Sequence, residues 1–329
     1  MKHSNIALFV AHVGCPNMCS FCNQHIISGE EKTATPDDIR EAVRVALEYG
    51  CKGGQLAFFG GSFTAIDRAY MVELLSAAKP FVDDGSISGI RISTRPDAID
   101  DEVLCILSHY GVEAIELGAQ SMDDDVLLAN RRGHTSEDVR YAAKLIRAHG
   151  FELGLQMMTG LYKDTDEGAI DTAEELAKLK PDTMRIYPTV ILEGTELADL
   201  YRAGKYVPQT LDEAVSLCAK LLLFFEEQGI RVIRTGLHSG GNVEDGYIAG
   251  AYHPAFRELC ESEIYLSRVK EVFASKPRGR YKIFVSSKEI SKMTGQKRKN
   301  VIKLKDTGFD CTVHGADNLK KYDFYIEDD

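Results

Sequence analysis

Short apolar runs alternate with segments of helical periodicity from residue 5 to about residue 235. Strands that alternate with helices form parallel sheets, because each crossover helix returns the chain to the same end of the sheet. The sequence therefore predicts an α/β fold with a parallel sheet of six strands, at residues 6–13, 55–59, 89–93, 114–117, 153–158 and 183–187.

The first helix after a strand has a well-defined start. Thr35 is the predicted N-cap, Pro36 occupies the first helical position and Asp38 the third, and the helix is predicted to end at Gly50. Further sheet-covering helices, each with one apolar stripe, are predicted over residues 67–78, 136–149, 165–179 and 211–228.

Composition excludes two classes of protein. The chain of 329 residues is 44% hydrophobic and 27% charged, as in ordinary globular proteins, and no apolar run approaches the ~20 residues of a membrane span. The apolar run 6–11 is too short for a signal sequence and is followed by His12. Eight cysteines in a chain of this size do not form a dense disulfide framework. We therefore expect a cytoplasmic protein without membrane association.

The cysteines divide into two groups. Five stand singly among apolar neighbours and are predicted to be small buried hydrophobic residues: Cys51, Cys105, Cys218, Cys260 and Cys311. The other three lie within eight residues, directly after the first predicted strand, as Cys15-Pro16-Asn17-Met18-Cys19-Ser20-Phe21-Cys22. Three thiols on one loop suit a four-iron cluster with one iron left open. A structural zinc site with His12 or His25 as the fourth ligand remains an alternative.

Polar and glycine-rich motifs follow the later strands. Barrel folds build their active sites at the carboxyl ends of parallel strands, which is where these motifs fall. Each residue alone would be interpreted as a helix cap or an ion-pair partner, but the ordered series predicts a site. The motifs are Phe59-Gly60-Gly61-Ser62-Phe63-Thr64, Thr94-Arg95-Pro96-Asp97, Glu116-Leu117-Gly118-Ala119-Gln120-Ser121, Arg131-Arg132-Gly133-His134, Gln156-Met157-Met158-Thr159-Gly160 and Arg185-Ile186-Tyr187-Pro188.

The cysteine spacing, with Phe21 before the third cysteine, and the motifs in this order resemble the radical S-adenosylmethionine (SAM) superfamily. Over residues 5–265 the chain is similar to the radical SAM domain of the Elongator catalytic subunit. The resemblance implies a partial (β/α)6 radical SAM barrel with a 4Fe–4S cluster on Cys15, Cys19 and Cys22. It also implies SAM at the open iron, reductive cleavage of SAM to a 5′-deoxyadenosyl radical, and a reductant such as flavodoxin or ferredoxin.

The same resemblance implies the residues around SAM. The expected contacts are Gly60, Gly61, Ser62, Phe63, Ser93, Arg95, Glu116, Gln120, Arg132 and Gln156. Arg131 is an adjacent alternative to Arg132. Tyr187 is the candidate catalytic residue facing the substrate and His253 a second candidate, with a buried, partly polar core position as the alternative for both.

The Elongator subunit couples its radical domain to an acetyltransferase domain, for which this chain has no room. We therefore expect neither acetyl-CoA nor carboxymethylation of a wobble uridine here. The predicted domains are a barrel at 1–235, an extension packing on it at 236–279 and a small module at 280–329.

The small module differs in charge from the rest. Residues 1–265 carry a net charge of −17 and residues 266–329 one of +6, which together give the −11 of the whole chain. Such a basic segment attracts polyanions. A small capping domain with a lysine-rich solvated face is the alternative.

Residues 290–304, followed by Thr307-Gly308, resemble the helix–loop–helix of a KH RNA-binding module, in which the loop clamps the nucleic-acid backbone. The sequence departs from that pattern because Arg298 stands where the second loop glycine belongs. The resemblance implies a basic α+β, KH-like module with RNA contacts at Lys292, Gln296, Lys297, Arg298 and Lys299.

Three functions are compatible with these features. The first is a radical SAM enzyme that modifies RNA, specifically tRNA. The second is a radical SAM enzyme acting on a small molecule such as a tetrapyrrole, as the oxygen-independent coproporphyrinogen oxidases do. The third is a non-catalytic, metal-binding adaptor that retains the fold.

Overall fold

The computed structural model describes residues 5–10, 15, 18–29, 32–237 and 243–329, apart from the side chain of His25. Its strands are β1 Asn5–Phe9, β2 Gln55–Phe59, β3 Gly89–Thr94, β4 Val112–Gln120, β5 Glu152–Thr159, β6 Thr183–Pro188, β7 Val190–Leu192, β8 Arg231–Thr235, β9 Tyr247–Gly250, β10 Gly279–Ser286, β11 Phe309–Ala316 and β12 Phe324–Asp328.

The α-helices are α1 Gln24–Ser28, α2 Pro36–Glu48, α3 Arg68–Asp83, α4 Asp101–His109, α5 Asp124–Ala129, α6 Ser136–Ala148, α7 Asp166–Lys178, α8 Glu196–Arg202, α9 Leu211–Glu227, α10 Val243–Gly246, α11 Phe256–Phe273, α12 Ile290–Thr294 and α13 Lys299–Asp306. Short 3₁₀ turns lie at Phe63–Ala65, Pro96–Ala98 and Gln296–Arg298.

Seven parallel strands form a curled half-barrel in the order β1-β2-β3-β4-β5-β6-β8. The six predicted strands are all present, and β2 has the predicted bounds. Strand β1 ends at Phe9, and residues 11–13 of its predicted extent lie outside the described residues. The seventh strand, β8, was not predicted, because a five-residue segment with two arginines carries a weak strand signal.

The two faces of this sheet differ in polarity. Strand residues alternate between faces, and those under the helices are apolar and 0–1% exposed: Leu56, Phe58, Ile90, Ile92, Ile115, Leu117, Leu153, Leu155, Met184 and Ile186. The opposite, inner face carries Gln55, Arg91, Ser93, Glu116, Gln156, Arg185 and Arg234. The apolar outer face packs against the helices. The inner face is polar and charged, so the inside of the half-barrel suits ligands better than it suits core packing.

The helix starts follow the local sequence. Thr35 caps α2 in a reciprocal capping box with Asp38, as predicted from those residues. Helix α3 continues through Pro80 to Asp83, beyond the predicted end at residue 78. The remaining predicted helices match α6, α7 and α9 to within one residue at each end.

Burial of the isolated cysteines was predicted correctly in three cases out of five. Cys218, Cys260 and Cys311 are buried and Cys51 is half-buried, whereas Cys105 is exposed. The prediction is wrong for Cys105 because Val103, Leu104 and Leu107 occupy the buried side of α4.

A second, smaller core lies beyond the end of β6. Strands β7 and β9 pair antiparallel, and Ile191 packs with Leu197, Ala198 and Tyr206. Phe21, from the cysteine loop, packs against the same core. The cysteine loop therefore packs against residues that lie 170 to 185 positions later in the chain.

The C-terminal module is a three-stranded sheet with β10 in the centre, parallel to β11 and antiparallel to β12, covered by α12 and α13. Its apolar residues continue the core of the barrel through α11, including Tyr265, Phe273, Met293 and Leu304. No helix in the described ranges is long and apolar enough to cross a membrane.

Buried charges also hold the C-terminal module against α11. The Glu261 carboxylate of α11, 5% exposed, lies 2.8 Å from the Lys292 ammonium and 3.0 Å from that of Lys321. Burial by itself would raise the pKa of Glu261, but the two lysines outweigh it and lower the pKa to about 2. The module is thus docked on α11 by both apolar and ionic contacts.

Candidate active site

The cysteine loop follows β1 and is anchored to distant elements. Ser20 donates from its main chain to the Asn130 carbonyl (3.1 Å) and from Oγ to Asn130 Oδ1 (2.8 Å). Cys22 N donates to the Cys19 carbonyl at 3.1 Å, which closes a turn between these two cysteines. Cys19 is buried, Cys22 half-buried and Cys15 exposed. The fold therefore presents the three thiols on an anchored loop.

Two side chains donate hydrogen bonds to the cysteine sulfurs. Arg132 Nη1 lies 3.1 Å from Cys19 Sγ, and Gln24 Nε2 lies 3.1 Å from Cys22 Sγ. Burial, followed by the neighbouring Cys19, raises the pKa of Cys22 to about 12, so a thiolate at this position requires added positive charge. Iron supplies that charge, and N–H donors to ligand sulfurs are characteristic of iron–sulfur sites. The residues fit a cluster.

The alternative of a single zinc ion depends on the two histidines. His12 and the side chain of His25 lie outside the described part of the chain. Within that part, no three side chains of His, Cys, Asp or Glu are grouped so as to hold a metal ion, so the fit to a cluster rests on the hydrogen bonds to the cysteine sulfurs.

A glycine turn follows β2. Gly60 and Gly61 both have left-handed backbone angles, with φ of 80° and 83°, which residues with side chains rarely adopt. Ser62 is fully buried, and its Oγ accepts from Arg95 N (3.0 Å), while Phe63 stacks on a core phenylalanine. The side chains of Ser62 and Phe63 thus hold the turn in place, and the turn presents its main chain.

Three residues predicted to contact SAM each bury a polar atom that has no partner among the described residues. These atoms are Arg95 Nη1, Arg132 Nε and Gln120 Oε1. Arg95 is otherwise held by the Asp97 carboxylate (2.8 Å to each oxygen), and Arg132 Nη2 donates to the Gly118 carbonyl (2.6 Å). Buried polar atoms without a partner are rare. Their presence beside the cysteines fits a polar ligand such as SAM.

Gln120 also has unusual backbone geometry. Its φ is 68°, and the pairing of β4 with β5 is irregular between Gly118 and Gln120. Left-handed conformations of non-glycine residues and β-bulges both concentrate at functional sites. The bulge re-aims the strand end at the point where the predicted SAM contacts lie.

Glu116 lies in a charged network on the inner face. Its carboxylate, 1% exposed, accepts from Arg185 Nε (2.6 Å) and Nη2 (2.9 Å), from Arg91 Nη1 (3.3 Å) and from Gln156 Nε2 (3.0 Å). Gly154 faces it on β5, where a Cβ atom would come within 2.7 Å of Glu116 Cγ. Both carboxylate oxygens are therefore already occupied by protein donors.

Ser93 and Gln156 belong to the same surroundings. Gln156 Nε2 lies 3.5 Å from Ser93 Oγ, and both side chains are half-buried. Burial disfavours the charge on Arg185, but Tyr187 and Glu116 outweigh it and raise its pKa. The network places two guanidinium groups around one carboxylate on the inner wall of the half-barrel.

The candidate substrate-facing residues differ in their surroundings. Tyr187 is half-buried on the inner face, and its hydroxyl lies 3.4 Å from Arg185 Nη1. His253 accepts a hydrogen bond from Ala255 N (3.0 Å) and so stabilises the start of α11.

Arg131, the alternative to Arg132 as a SAM contact, is 63% exposed and forms an ion pair with Glu196 at 2.8 Å. Of the two adjacent arginines, Arg132 is the one that reaches the cysteines.

Arg91 and Arg234 were not among the residues predicted to act in the site, and Arg185 was included only as part of a strand-end motif. Arg91 and Arg185 each interrupt an apolar strand, and the period-two alternation that places their neighbours on the outer face places them on the inner face. That signal was available in the sequence. Arg234 lies on the strand that was not predicted.

The basic residues predicted to contact RNA are not equally available. Lys292 is committed to Glu261 and Glu289, and Lys299 pairs with Asp212 at 2.8 Å. Gln296 is half-buried, whereas Lys297 and Arg298 are exposed and form no ion pair with any described residue. Arg298 has a φ of 64°, so the backbone keeps the left-handed conformation that a glycine would adopt there.

The buried side chain of His134, which lies beside the end of β4, makes the stability of the fold depend on pH. Burial, assisted by Arg132, lowers the pKa of His134 to about 4, against 6.5 for an unperturbed histidine. Between these values the unfolded chain binds a proton that the folded protein does not. We expect the free energy of unfolding to fall by about 3 kcal/mol from pH 6.5 to 4 through this residue.

The measurement is urea unfolding as a function of pH, in wild type and in His134→Gln. The variant should show a correspondingly shallower decline between pH 6.5 and 4, since carboxylate titration is common to both proteins. Equal declines would show that His134 is not held neutral by the fold.

A parallel half-barrel with three thiols after its first strand and a glycine turn after its second defines a class of enzymes that combine an iron–sulfur cluster with a bound cofactor. The family model described as the radical SAM superfamily matches residues 10–176, and that of the radical SAM C-terminal domain matches residues 181–266. The chain belongs to the radical SAM superfamily. It is an enzyme of that family, whose cofactors are a 4Fe–4S cluster and SAM.

The curated relatives include proteins named tRNA uridine(34) acetyltransferase and proteins named Elongator complex protein 3. The tRNA uridine(34) acetyltransferase of Methanocaldococcus jannaschii is 28% identical over 183 residues, which are 50% of this chain and 34% of that protein. The human Elongator complex protein 3 is 33% identical over 137 residues, 41% of this chain and 25% of the relative. The chain thus matches about a quarter to a third of the length of these two relatives.

Solved structures share the fold at low sequence identity. The archaeal Methanocaldococcus infernus Elp3 has a TM-score of 0.64 at 18% identity, covering 84% of this chain and 65% of that one. Methylornithine synthase has a TM-score of 0.52 at 18% identity, covering 82% of each chain. The half-barrel and the α/β class predicted from the sequence are confirmed.

Proposed function

We propose that this protein reductively cleaves SAM at a 4Fe–4S cluster held by Cys15, Cys19 and Cys22 and uses the product to modify RNA, specifically tRNA. Three features carry the first part: the hydrogen-bonded cysteine sulfurs, the left-handed Gly60-Gly61 turn, and the buried polar atoms that have no partner among the described residues. The second part is supported by the relatives that are named tRNA uridine(34) acetyltransferase.

The protein's own contribution is to hold and orient. In this proposal the main chain at Gly60 and Gly61 receives the amino group of SAM. The guanidinium atoms of Arg95 and Arg132 that have no partner among the described residues suit its carboxylate. Gln120 Oε1 is available to a ligand hydroxyl or amino group. The chemistry supplied by the bound cofactors is one-electron cleavage of the SAM sulfonium into methionine and a 5′-deoxyadenosyl radical.

Glu116, Ser93 and Gln156, which were predicted to contact SAM, belong to the inner wall of the half-barrel. Because the Glu116 carboxylate is saturated by two arginines and Gln156, we propose that it acts on SAM indirectly, by fixing the inner wall against which the cofactor lies. Tyr187, next to that wall, is proposed to face the substrate.

SAM cleavage is tested by anaerobic reconstitution with iron and sulfide, followed by dithionite and SAM. We expect methionine and 5′-deoxyadenosine in equal amounts by mass spectrometry, and flavodoxin or ferredoxin as reductants that replace dithionite. A reconstituted protein that yields no 5′-deoxyadenosine would support the adaptor function instead.

The RNA substrate is tested by tRNA binding over a salt series. Phosphate contacts release counterions, so affinity should fall steeply as salt rises. Lys297→Ala/Arg298→Ala should weaken binding and reduce the salt slope by about one to two, since each phosphate contact contributes roughly one. The matched control, Lys52→Ala/Lys144→Ala, removes two exposed lysines of the barrel and should leave both unchanged. Equal effects of the two double variants would contradict a role of the KH-like loop.

Wild-type protein that binds no tRNA at low salt would favour the small-molecule alternative. The decisive measurement is then which added metabolite accelerates 5′-deoxyadenosine formation. We further propose a cytoplasmic location, because a thiolate-held cluster and a tRNA substrate both belong in a reducing compartment.

A further inference from the structure

A half-buried arginine on the inner face of the half-barrel has no acidic partner in the described ranges. Arg234 lies on β8, directly opposite Arg185 on β6, so the two side chains project from the same face of neighbouring strands. Its Nε donates to the Gly236 carbonyl at 3.0 Å, and no ion pair with a described residue neutralises it.

The neighbouring Arg185 does not supply a negative charge for Arg234. Arg185 is already neutralised by Glu116 and is covered by the ring of Phe59, whose centroid lies 5.2 Å from Arg185 Cζ. Burial lowers the pKa of Arg234 and Arg185 acts in the same direction, while Tyr187 opposes both. Arginine nevertheless stays protonated in proteins, so the charge on Arg234 persists and is stabilised by an anion.

We propose that Arg234, with the nearby Tyr187, forms a subsite for an oxyanion on the inner face of the half-barrel, such as a phosphate or a carboxylate of a bound ligand. The planar guanidinium fork suits both groups, since it can donate two parallel hydrogen bonds to adjacent oxygens.

The position favours a phosphate of the substrate over the SAM carboxylate. Arg132 and Arg95, which have free donor atoms beside the cysteines, are tied to β4 and β3. Strand β8 is three strands from β4, about 14 Å at the usual strand spacing. The identification of this phosphate with an RNA backbone rests on the proposed function.

The test uses reconstituted holoenzyme and three variants. Arg234→Gln removes the charge, Arg234→Lys keeps the charge without the fork, and Arg231→Gln is the matched control. Arg231 lies on the same strand but is 54% exposed and 3.7 Å from Glu152. Circular dichroism establishes that the variants are folded. We expect them to fold, because among the described residues the Arg234 side chain donates only to the Gly236 carbonyl.

Binding of tRNA, SAM and inorganic pyrophosphate is measured for each protein. We expect Arg234→Gln to weaken tRNA binding about tenfold, as loss of a charge-assisted hydrogen bond implies, with partial retention in Arg234→Lys and no change in Arg231→Gln. Weaker SAM binding with unchanged tRNA binding would keep the subsite and assign it to the SAM carboxylate.

The pyrophosphate measurement separates this inference from the proposed function. If wild type binds no tRNA, the RNA function fails, but the subsite stands if pyrophosphate raises the melting temperature of wild type and not that of Arg234→Gln. If neither tRNA, SAM nor pyrophosphate distinguishes Arg234→Gln from Arg231→Gln, the subsite is refuted.

Discussion

Replacing Cys19 with serine is expected to abolish both the iron–sulfur cluster and SAM cleavage. Cys19 is buried and accepts a hydrogen bond from Arg132, so its sulfur lies at the centre of the cysteine loop. A serine hydroxyl does not deprotonate as a thiol does and is a poor ligand for this iron, which leaves two thiols to hold four irons. We expect the brown colour, the bound iron and the 5′-deoxyadenosine produced in the cleavage assay all to fall to background.

The matched control is Cys105→Ser, which removes an exposed cysteine on α4 outside the predicted ligand set. It should retain iron, colour and cleavage at wild-type levels. Retained cleavage in Cys19→Ser would remove Cys19 from the ligands, and lost cleavage in Cys105→Ser would show that the assay reports general damage.

Replacing Glu116 with glutamine is expected to lower the free energy of unfolding more than the other substitutions proposed for this protein. The change keeps the shape of the side chain but leaves Arg185 without its carboxylate and Arg91 with only the partly exposed Glu152. Breaking a buried ion pair from one side costs about 3–5 kcal/mol, because the remaining charge is buried without compensation. Urea unfolding of the variant should show this decrease as a lower midpoint.

Glu152→Gln is the appropriate comparison. It removes a carboxylate that contacts the same Arg91 at 2.8 Å but is itself 28% exposed, so water can replace it. We expect a loss of no more than about 1 kcal/mol. A Glu116→Gln variant as stable as Glu152→Gln would mean that the inner-face network does not support the fold.

Local sequence sufficed to predict six of the seven strands of the half-barrel and five of the helices that cover it. The strand β2 and the capping box of Thr35 and Asp38 depend on neighbours within a few positions, so the pattern around them sufficed. The cysteine spacing and the strand-end motifs were equally local, and they indicated the superfamily that the family models match.

Tertiary structure decided what each polar residue does. From the sequence, Glu116 was predicted to contact SAM and Lys292 to contact RNA. In the structure their charges are committed to protein partners: Glu116 to arginines 25 and 69 positions away, and Lys292 to Glu261 as well as to the local Glu289. Conversely, Arg234 joins the inner face only because β8 completes the sheet beside β6.

The physical reason is the range of the interactions involved. Caps, strand alternation and ligand spacing are set by a few consecutive residues, so Cys15, Cys19 and Cys22 could be recognised as a group. Whether a charge is free for a ligand depends on which other charges the folded sheet brings within about 4 Å of it, and those partners are distant in the chain. The cysteines could be recognised from the sequence, while only the fold showed which atoms of Arg95 and Arg132 lack a partner among the described residues.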